Sequence, residues 1–457
     1  MSHIRFFADF GSTFTKLVAL DTENAELLGR AQAPSTVETD IMDGLEAAFA
    51  EMRRLVPVTE ADIRATAACS SAAGGLRMLC IGLVPDYTTE AGRLAALGAG
   101  AKVVGEYSYE LSRFELEEIA ALDPDIILLT GGTDGGNSRV IVHNARMLAE
   151  SALTAHIVAA GNIRAQEEIR EAFRGTGHQV YFTDNVMPTL GKLWLEPVNR
   201  VIRQVFLSHI VEAKGIARVN GTIAGIRMPT PSAVFEAAKL LANGVPGAAA
   251  GLGDLLLVDV GGATTDVYSV CDGRPTNDGV ELVGMEEPYA KRTVEGDLGL
   301  YHNLETLARI ADDERILAGE DGQRAVETLR STRSVPTAAS EREQLLFSRL
   351  AVKTAVDRHA GRLITDLTPH GLSVRQRGKD LSKLKTVIGS GGPVAFSPDP
   401  RLVLEGAAAE RDRASILKPK EPRFYIDGSY ILFAVGLLAE EDPAAAYRIA
   451  EGALREV

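Results

Sequence analysis

Apolar residues in this chain come in short runs set off by polar turns, and the runs fall into three rhythms. Up to about Leu76 the pattern is strand, hairpin, helix. IRFFADFG opens as a strand, STFTK turns, and KLVALDTENAELLGRAQA reads as a hairpin with its polar tip at Thr22–Asn24. Leu45, Ala48, Phe49, Met52 and Leu55 then recur at helical spacing, which predicts an amphipathic helix over Asp43–Leu55.

The rhythm changes between about 76 and 190. Five apolar runs (LRMLCIGLV, KVVGEYS, DIILLTGG, AHIVAAGN and QVYFTDNV) alternate with four amphipathic stretches. Strands alternating with helices predict a doubly wound parallel sheet. From about 195 a helix (LEPVNRVIRQVFLSHIVEAKG) leads to a Pro/Gly-rich stretch near Pro229–Gly253. Strand LLLVDVGG and its hairpin partner TDVYSVCDG follow, then a long helical stretch at about 303–366. The run VIGSGGP and a C-terminal helix close the chain, with a polar loop at Ser331–Ser340. Trp194 reads as a core anchor near a domain junction. The opening strand–hairpin–helix unit is echoed at 255–275, which predicts a duplication interrupted by the middle block.

A chain of 457 residues has room for about three domains. Its formal net charge of −14 excludes a protein that coats nucleic acid, since that needs Lys and Arg against phosphates. Such a balance still allows a nucleotide pocket, which needs only local amides and one metal. Cys69, Cys80 and Cys271 form neither a disulfide framework nor a CxxC metal pair, and a reducing cytoplasm is the expected location. No signal peptide is expected, because the strand pattern begins at once. No apolar run approaches the ~18–20 residues of a membrane span. The longest candidate, YILFAVGLLA, is interrupted by Gly436.

Three glycine loops carry the candidate chemistry. In DFGSTFTK, Asp9 ends a strand, where a carboxylate can hold a hydrated magnesium ion. Gly11 permits close backbone approach to a phosphate. Ser12, Thr13 and Thr15 offer donors, and Lys16 adds charge. In DVGGATTD, Asp259 repeats the strand-end carboxylate, Gly261 and Gly262 open the loop, and Thr264 and Thr265 offer donors. Asp266 can fix this loop or touch the metal shell. Either loop alone would serve an ordinary hairpin turn; their shared spacing points to a duplicated phosphate clamp. The third loop, Gly389, Ser390, Gly391 and Gly392, lets an adenine lie against bare backbone. It is not a Walker A loop, because no Lys-Ser/Thr follows. In VEGDLG (294–299), Glu295 is the candidate general base, whereas Asp297 reads as a helix cap or solvated charge. His359 reads as a packing or surface residue. TGGTDGGN ends a strand of the middle block and is not assigned to ATP.

These loops in this order resemble the actin, sugar-kinase and heat-shock-chaperone superfamily of ATPases. The resemblance covers about 1–75 and 250–457. It implies two ribonuclease-H-like halves closing on Mg-ATP. Asp9 and Asp259 would organise the metal, Gly11–Thr13 and Gly261–Thr265 would hold the β- and γ-phosphates, and Gly389–Gly392 would take the adenosine. The expected fold is therefore a duplicated ribonuclease-H-like α/β core with an inserted doubly wound domain. The expected boundaries are 1–75 (first half), 76–190 (insertion) and 191–457 (second half with a linking helix).

A narrower resemblance spans nearly the whole chain. ADFGSTFTK, DIILLTGGTDGGN (125–137), LVDVGGATTDVYSV, VEGDLG and VIGSGGP together resemble the MutL/GlmL family. These are accessory proteins of adenosylcobalamin-dependent glutamate mutase, unrelated to the mismatch-repair protein that shares a name. The family implies an ATP-driven chaperone that exchanges damaged cobalamin for intact coenzyme. Its implied partner is the mutase, with ATP and magnesium as cofactors, and with no nucleic acid or membrane involved. A homodimer is compatible with the sequence. The middle block has the element order of cobalamin-binding domains but lacks the Asp-x-His-x-x-Gly sequence that ligates cobalt. The expectation is that it imitates or docks beside the mutase's cobalamin subunit; the alternative is a doubly wound domain for an unrelated partner or small ligand. Two other functions fit the loops, a small-molecule kinase of the same superfamily and a non-catalytic nucleotide-sensing scaffold.

Overall fold

The computed structural model describes residues 3–11, 13–36, 40–71, 76–210, 216–317, 319–331, 340–368 and 371–457. Ser12, and all of the expected Ser331–Ser340 loop except its two end residues, lie outside the described residues. The chain divides into two compact units. The first comprises Met1–Leu20, Leu27–Ala233 and Gly284–Glu286; the second comprises Asp21–Glu26, Val234–Val283 and Glu287–Val457.

The first unit is built on strands β1 (Ile4–Phe10), β2 (Phe14–Asp21), β3 (Glu26–Pro34) and β4 (Ala67–Ser70). An inserted block supplies β5 (Arg77–Gly82), β6 (Lys102–Ser108), β7 (Ile126–Leu129), β8 (His156–Ala159) and β9 (Val180–Phe182). Beyond it, β10 (Gly225–Pro229) returns to the first sheet, whose order is β10-β4-β1-β2-β3. β4 runs parallel to both β1 and β10, with Asp9 beside Cys69 and Cys69 beside Met228. The predicted helix after the hairpin is Ile41–Met52, capped by the Asp40 carboxylate, which accepts from the Met42 amide. Its buried Leu45, Ala48, Phe49 and Met52 are the positions that the spacing selected.

The inserted sheet has the order β6-β5-β7-β8-β9 and is parallel throughout. The side chains alternate across it. Met78, Cys80, Ile126, Leu128 and Val158 join the same core as Phe6 and Ala8 of β1. Leu79, Ile81, Ile127, Leu129 and Ile157 form a second core with the block's own helices. All five predicted strands and all four predicted helices of this block are present.

The second unit contains a two-residue hairpin, β11 (Gly244–Val245) and β12 (Ala249–Ala250), followed by β13 (Leu255–Val260), β14 (Thr265–Val270), β15 (Glu281–Val283) and β16 (Ala290–Glu295). It continues with β17 (Arg362–Thr368), β18 (Gly371–Arg377), β19 (Thr386–Ser390), β20 (Arg423–Asp427) and β21 (Leu454–Glu456). Its main sheet has the order β16-β14-β13-β19-β20-β21. The antiparallel pair β14–β13 and the parallel run β13–β19–β20 repeat β2–β1 and β1–β4–β10 of the first unit. Two sheets sharing this order are the duplicated ribonuclease-H-like halves of the actin-like fold.

One element adds to the sequence reading, and two expectations are corrected. The Pro/Gly-rich stretch after Pro229 contains a 14-residue helix, Thr230–Asn243, in which Pro231 falls in the first turn, where its missing amide costs nothing. The helical stretch at 303–366 ends at His359, and β17 starts three residues later as part of a small sheet of order β15-β18-β17. Trp194 is no core anchor: it is 54% exposed, and its backbone amide donates to the Val186 carbonyl. Among the described residues, no helix is long and apolar enough to cross a membrane.

Candidate functional site

The loop after β1 is a tight turn in which the Gly11 amide donates to the Phe14 carbonyl at 3.1 Å. A methyl on Gly11 would lie 2.8 Å from that same oxygen, so glycine is required by close approach. Ser35 braces the turn, its hydroxyl donating to the Gly11 carbonyl at 2.7 Å and its amide to the Thr13 carbonyl at 2.9 Å. Thr13 is exposed, whereas Thr15 is buried with its hydroxyl against Gly44 and without a hydrogen-bond partner.

Asp9 is buried, and both of its oxygens are engaged. Lys16 Nζ donates to Oδ2 at 2.8 Å, and Thr230 Oγ1 donates to Oδ1 at 2.6 Å. Thr230 follows β10, so the third strand of the parallel run delivers it beside Asp9. Cys69 Sγ lies 3.7 Å from Asp9 Oδ1 and 3.5 Å from Thr230 Oγ1. Burial, followed by the Asp9 charge, pushes its thiol well above the usual range, so Cys69 is a neutral neighbour and not a nucleophile.

The loop after β13 repeats the turn: the Gly261 amide donates to the Thr264 carbonyl at 2.9 Å. Its carbonyls are held from behind. Leu300 N donates to Gly261 O at 3.1 Å, and Tyr301 N and His302 N donate to Gly262 O at 2.9 and 3.1 Å. Gly299 packs so closely that a methyl there would lie 2.2 Å from the Ala263 carbonyl carbon. With the carbonyls held on one side, the amides of Gly262, Ala263 and Thr264 have no partner among the described residues. Successive amides left without partners in a turn are the donors from which an anion-binding nest can be built.

The side chains of this loop divide by role. Thr264 Oγ1 donates to Asp266 Oδ2 at 3.1 Å, and Thr265 Oγ1 donates to the Leu298 carbonyl at 2.8 Å. Arg292 donates to Asp266 Oδ1 through Nε at 2.9 Å and Nη2 at 2.5 Å, both residues being buried. Asp266 therefore anchors the loop. Glu295 lies opposite Thr265 on β16 and accepts from Arg358 Nη1 at 2.7 Å. The same guanidinium reaches Asp297 at 2.7 and 3.1 Å and holds that carboxyl below its usual range.

The glycine loop after β19 comes to the same place. β13 and β19 are parallel neighbours, with Val258 beside Gly389 and Asp259 beside Ser390. Gly391 has a φ of 88°, and a methyl there would lie 2.1 Å from the Val260 carbonyl oxygen and 2.7 Å from Asp259 Oδ1. At Gly392 a methyl would meet only Phe396 Cδ2, at 4.0 Å, and this residue starts the short helix Gly392–Ala395. Ser390 donates to the buried Asp427, which also caps the next helix by accepting from the Ile431 and Leu432 amides, each at 3.0 Å.

Asp259, Gly261, Gly262, Thr264, Thr265, Asp266, Glu295 and Gly389–Gly392 are thus one local constellation. Asp9, Gly11, Thr13 and Lys16 form the matching constellation of the first unit. Thr230, Arg292, Arg358 and the Leu300–His302 segment carry no sequence signature and were missed. Their tie to the site comes from sheet register. His359 is buried, with Nδ1 at 2.7 Å from Thr293 Oγ1 and Nε2 at 2.8 Å from Ser269 Oγ, a packing role as expected.

A family model described as MutL protein matches residues 5–454. Protein MutL of Clostridium tetanomorphum is 45% identical over 448 residues, covering 96% of this chain and 97% of that protein. Among solved structures, the activator of 2-hydroxyisocaproyl-CoA dehydratase from Clostridium difficile with bound ADPNP is 9% identical. That match has a TM-score of 0.31 and covers 98% of this chain and 95% of that one. A glycerol dehydratase reactivase is 11% identical with a TM-score of 0.33, covering 96% and 99%.

Proposed function

The chain belongs to the MutL family, and from that premise we propose that it is an ATP-driven reactivating factor for an adenosylcobalamin-dependent enzyme. We infer glutamate mutase as the partner, from which the factor would release damaged cobalamin so that intact coenzyme can enter. The observation that carries the ATPase reading is the run of three amides, Gly262, Ala263 and Thr264, without a partner among the described residues, beside Gly261 and Gly262 carbonyls that are held by Leu300–His302.

In this reading the nest and the Gly11–Thr13 turn, including Ser12, donate to the phosphates. The loop Gly389, Gly391 and Gly392 would take the adenosine; Gly389 and Gly391 seat the loop against Val394 and Val260, and Gly392 is its one uncrowded glycine. Lys16 adds positive charge next to Asp9. Asp259, near the end of β13, would hold a hydrated magnesium ion. Asp9 would share that ion only if Lys16 and Thr230 release its oxygens. Magnesium when bound would neutralise charge that builds on the transferring phosphoryl group. Glu295, steadied by Arg358, orders the attacking water. ATP and ADP states that differ in affinity for the partner would then drive its remodelling.

The test combines purified mutase carrying inactivated cobalamin with the full chain. Cobalamin release that requires ATP, and ATP hydrolysis without any added small-molecule acceptor, are the expected results. Hydrolysis that appears only with a sugar or acid acceptor would instead identify a kinase. Nucleotide binding without turnover would leave the scaffold reading.

A further inference from the structure

Strands β13, β19 and β20 run parallel as neighbours, so the loops that follow them leave the main sheet of the second unit at one edge. The glycine loop after β19 winds at once into a short helix. The Gly391 carbonyl accepts from the Val394 and Ala395 amides at 3.1 and 2.8 Å, and the Gly392 carbonyl accepts from the Phe396 amide at 3.1 Å. Pro393, Val394 and Ala395 of that helix are buried. Phe396, the next residue, is 54% exposed.

The backbone around this ring is pinned on both sides. Ser397 N donates to the Val394 carbonyl at 3.2 Å, and Ser397 Oγ accepts from the Asp399 amide at 3.2 Å. The Asp399 carboxylate in turn caps the next helix, Pro400–Leu404, by accepting from Leu402 N at 3.0 Å. A side chain presented on a fixed backbone loses less freedom when a ligand covers it.

The ring also stands beside the one glycine of the loop that has room over it. A methyl on Gly389 would lie 2.6 Å from Val394 Cγ1, and a methyl on Gly391 would lie 2.1 Å from the Val260 carbonyl oxygen. A methyl on Gly392 would meet only Phe396 Cδ2, at 4.0 Å. The bare α-carbon of Gly392 and the ring edge therefore form one continuous surface. Single exposed apolar residues are common on proteins. This one differs in its place: it borders bare backbone, and its loop lies one strand away from the partnerless amides of Gly262–Thr264.

A flat π-face beside bare backbone suits a flat heteroaromatic ring, which gains stacking from it as well as buried area. We propose that Phe396 stacks on the adenine base of the bound nucleotide, and that Gly392 is glycine because the base lies across its α-carbon. This assignment rests on the ATP-binding reading given above and adds to it the residues that hold the base. Base binding then belongs to Gly392 and Phe396, and phosphate binding to the amides after β13, so that each can be altered alone.

The experiment titrates the full chain with Mg-ADP and, separately, with Mg-tripolyphosphate, which carries phosphates and no base. It compares wild type with Phe396→Ala, with Gly392→Ala, and with Phe396→Trp made together with Trp194→Phe. Phe396→Ala should bind ADP about tenfold more weakly, with tripolyphosphate binding and circular dichroism unchanged. Gly392→Ala should lose at least as much ADP affinity, yet melt without nucleotide at or above the wild-type temperature, because its methyl crowds nothing in the protein. Trp194 is the only tryptophan of the chain, so the emission of the third protein reports on position 396 alone. That emission should change with ADP and not with tripolyphosphate. If Phe396→Ala and Gly392→Ala bind ADP like wild type, the base contact is overturned and the ATPase reading stands. Equal loss of ADP and tripolyphosphate in these variants overturns the assignment to the base. A wild-type chain that binds no adenine nucleotide overturns the ATPase reading and this contact together.

Discussion

The two Asp-Gly loops have one backbone design and two different electrostatic states. Both close with an amide-to-carbonyl bond across four residues, Gly11 to Phe14 and Gly261 to Thr264. Residue for residue, Asp9 matches Asp259, Thr15 matches Thr265 and Lys16 matches Asp266. In the first loop the residue at the last position is a lysine that turns back on the strand-end aspartate. In the second that position is an aspartate drawn off by Arg292. Asp9 thus pairs with a lysine of its own turn, whereas Asp266 of the second loop pairs with an arginine one strand away. Duplication supplied the turn, and substitution at one position made the halves chemically unequal.

Four measurements would sharpen or break this contrast. The largest effect is expected at the second anchor: Asp266→Ala strands a buried arginine and should cost about 3–5 kcal/mol, read from urea unfolding. A loss under 1 kcal/mol would mean that the ion pair does not hold the loop. Next, Asp259→Ala should lower ATP turnover by about a hundredfold with the fold intact, a size typical of losing one group that stabilises developing charge. Unchanged turnover would contradict the assignment of Asp259 to the site.

The matched threonines give a finer comparison. Thr265→Val leaves the Leu298 carbonyl without its donor and should cost about 1–3 kcal/mol. Thr15→Val removes a buried hydroxyl that has no partner and should be neutral or stabilising. Equal costs would erase the distinction. The smallest effect is acid sensitivity of the segment behind the second loop. Arg358 holds the Asp297 carboxyl below its usual range, so its stabilisation is full above the unfolded value of about 4 and is lost as pH falls through the lower folded value. Asp297→Asn should flatten the acid limb of the melting-temperature profile below pH ~4 and leave it unchanged near neutrality.

The sequence showed the loops because their chemistry is local. An Asp, a Gly and hydroxyls at fixed spacing must share one turn wherever the chain goes. The inserted sheet was equally legible, since its buried strands are short apolar runs between amphipathic helices. What was hidden depends on strands that meet across long separations. Thr230 reaches Asp9 only because β10 pairs with β4. Arg292 reaches Asp266 only because β16 lies beside β14. The β17–β18 hairpin was missed because its partner strand, β15, lies some eighty residues upstream and the hairpin exposes leucines at its tip, Leu367 and Leu372. Trp194 misled because a lone tryptophan suggests burial, and only the loop's path decides which way it faces.

The return of β10 to the first sheet also sets an order of events as the chain emerges. β4 ends at Ser70 and β10 begins at Gly225, so the strand on the far side of β4 is synthesised only after the whole inserted block. That block is complete on the growing chain before β10 is made, and folding during synthesis proceeds from the N-terminal side. Once it has folded, the gap that β10 must bridge is no longer a flexible loop of that length, and the entropy of closing it falls accordingly. The strand that carries Thr230 to Asp9 therefore arrives last, and the surroundings of Asp9 are completed only after the insertion has been made.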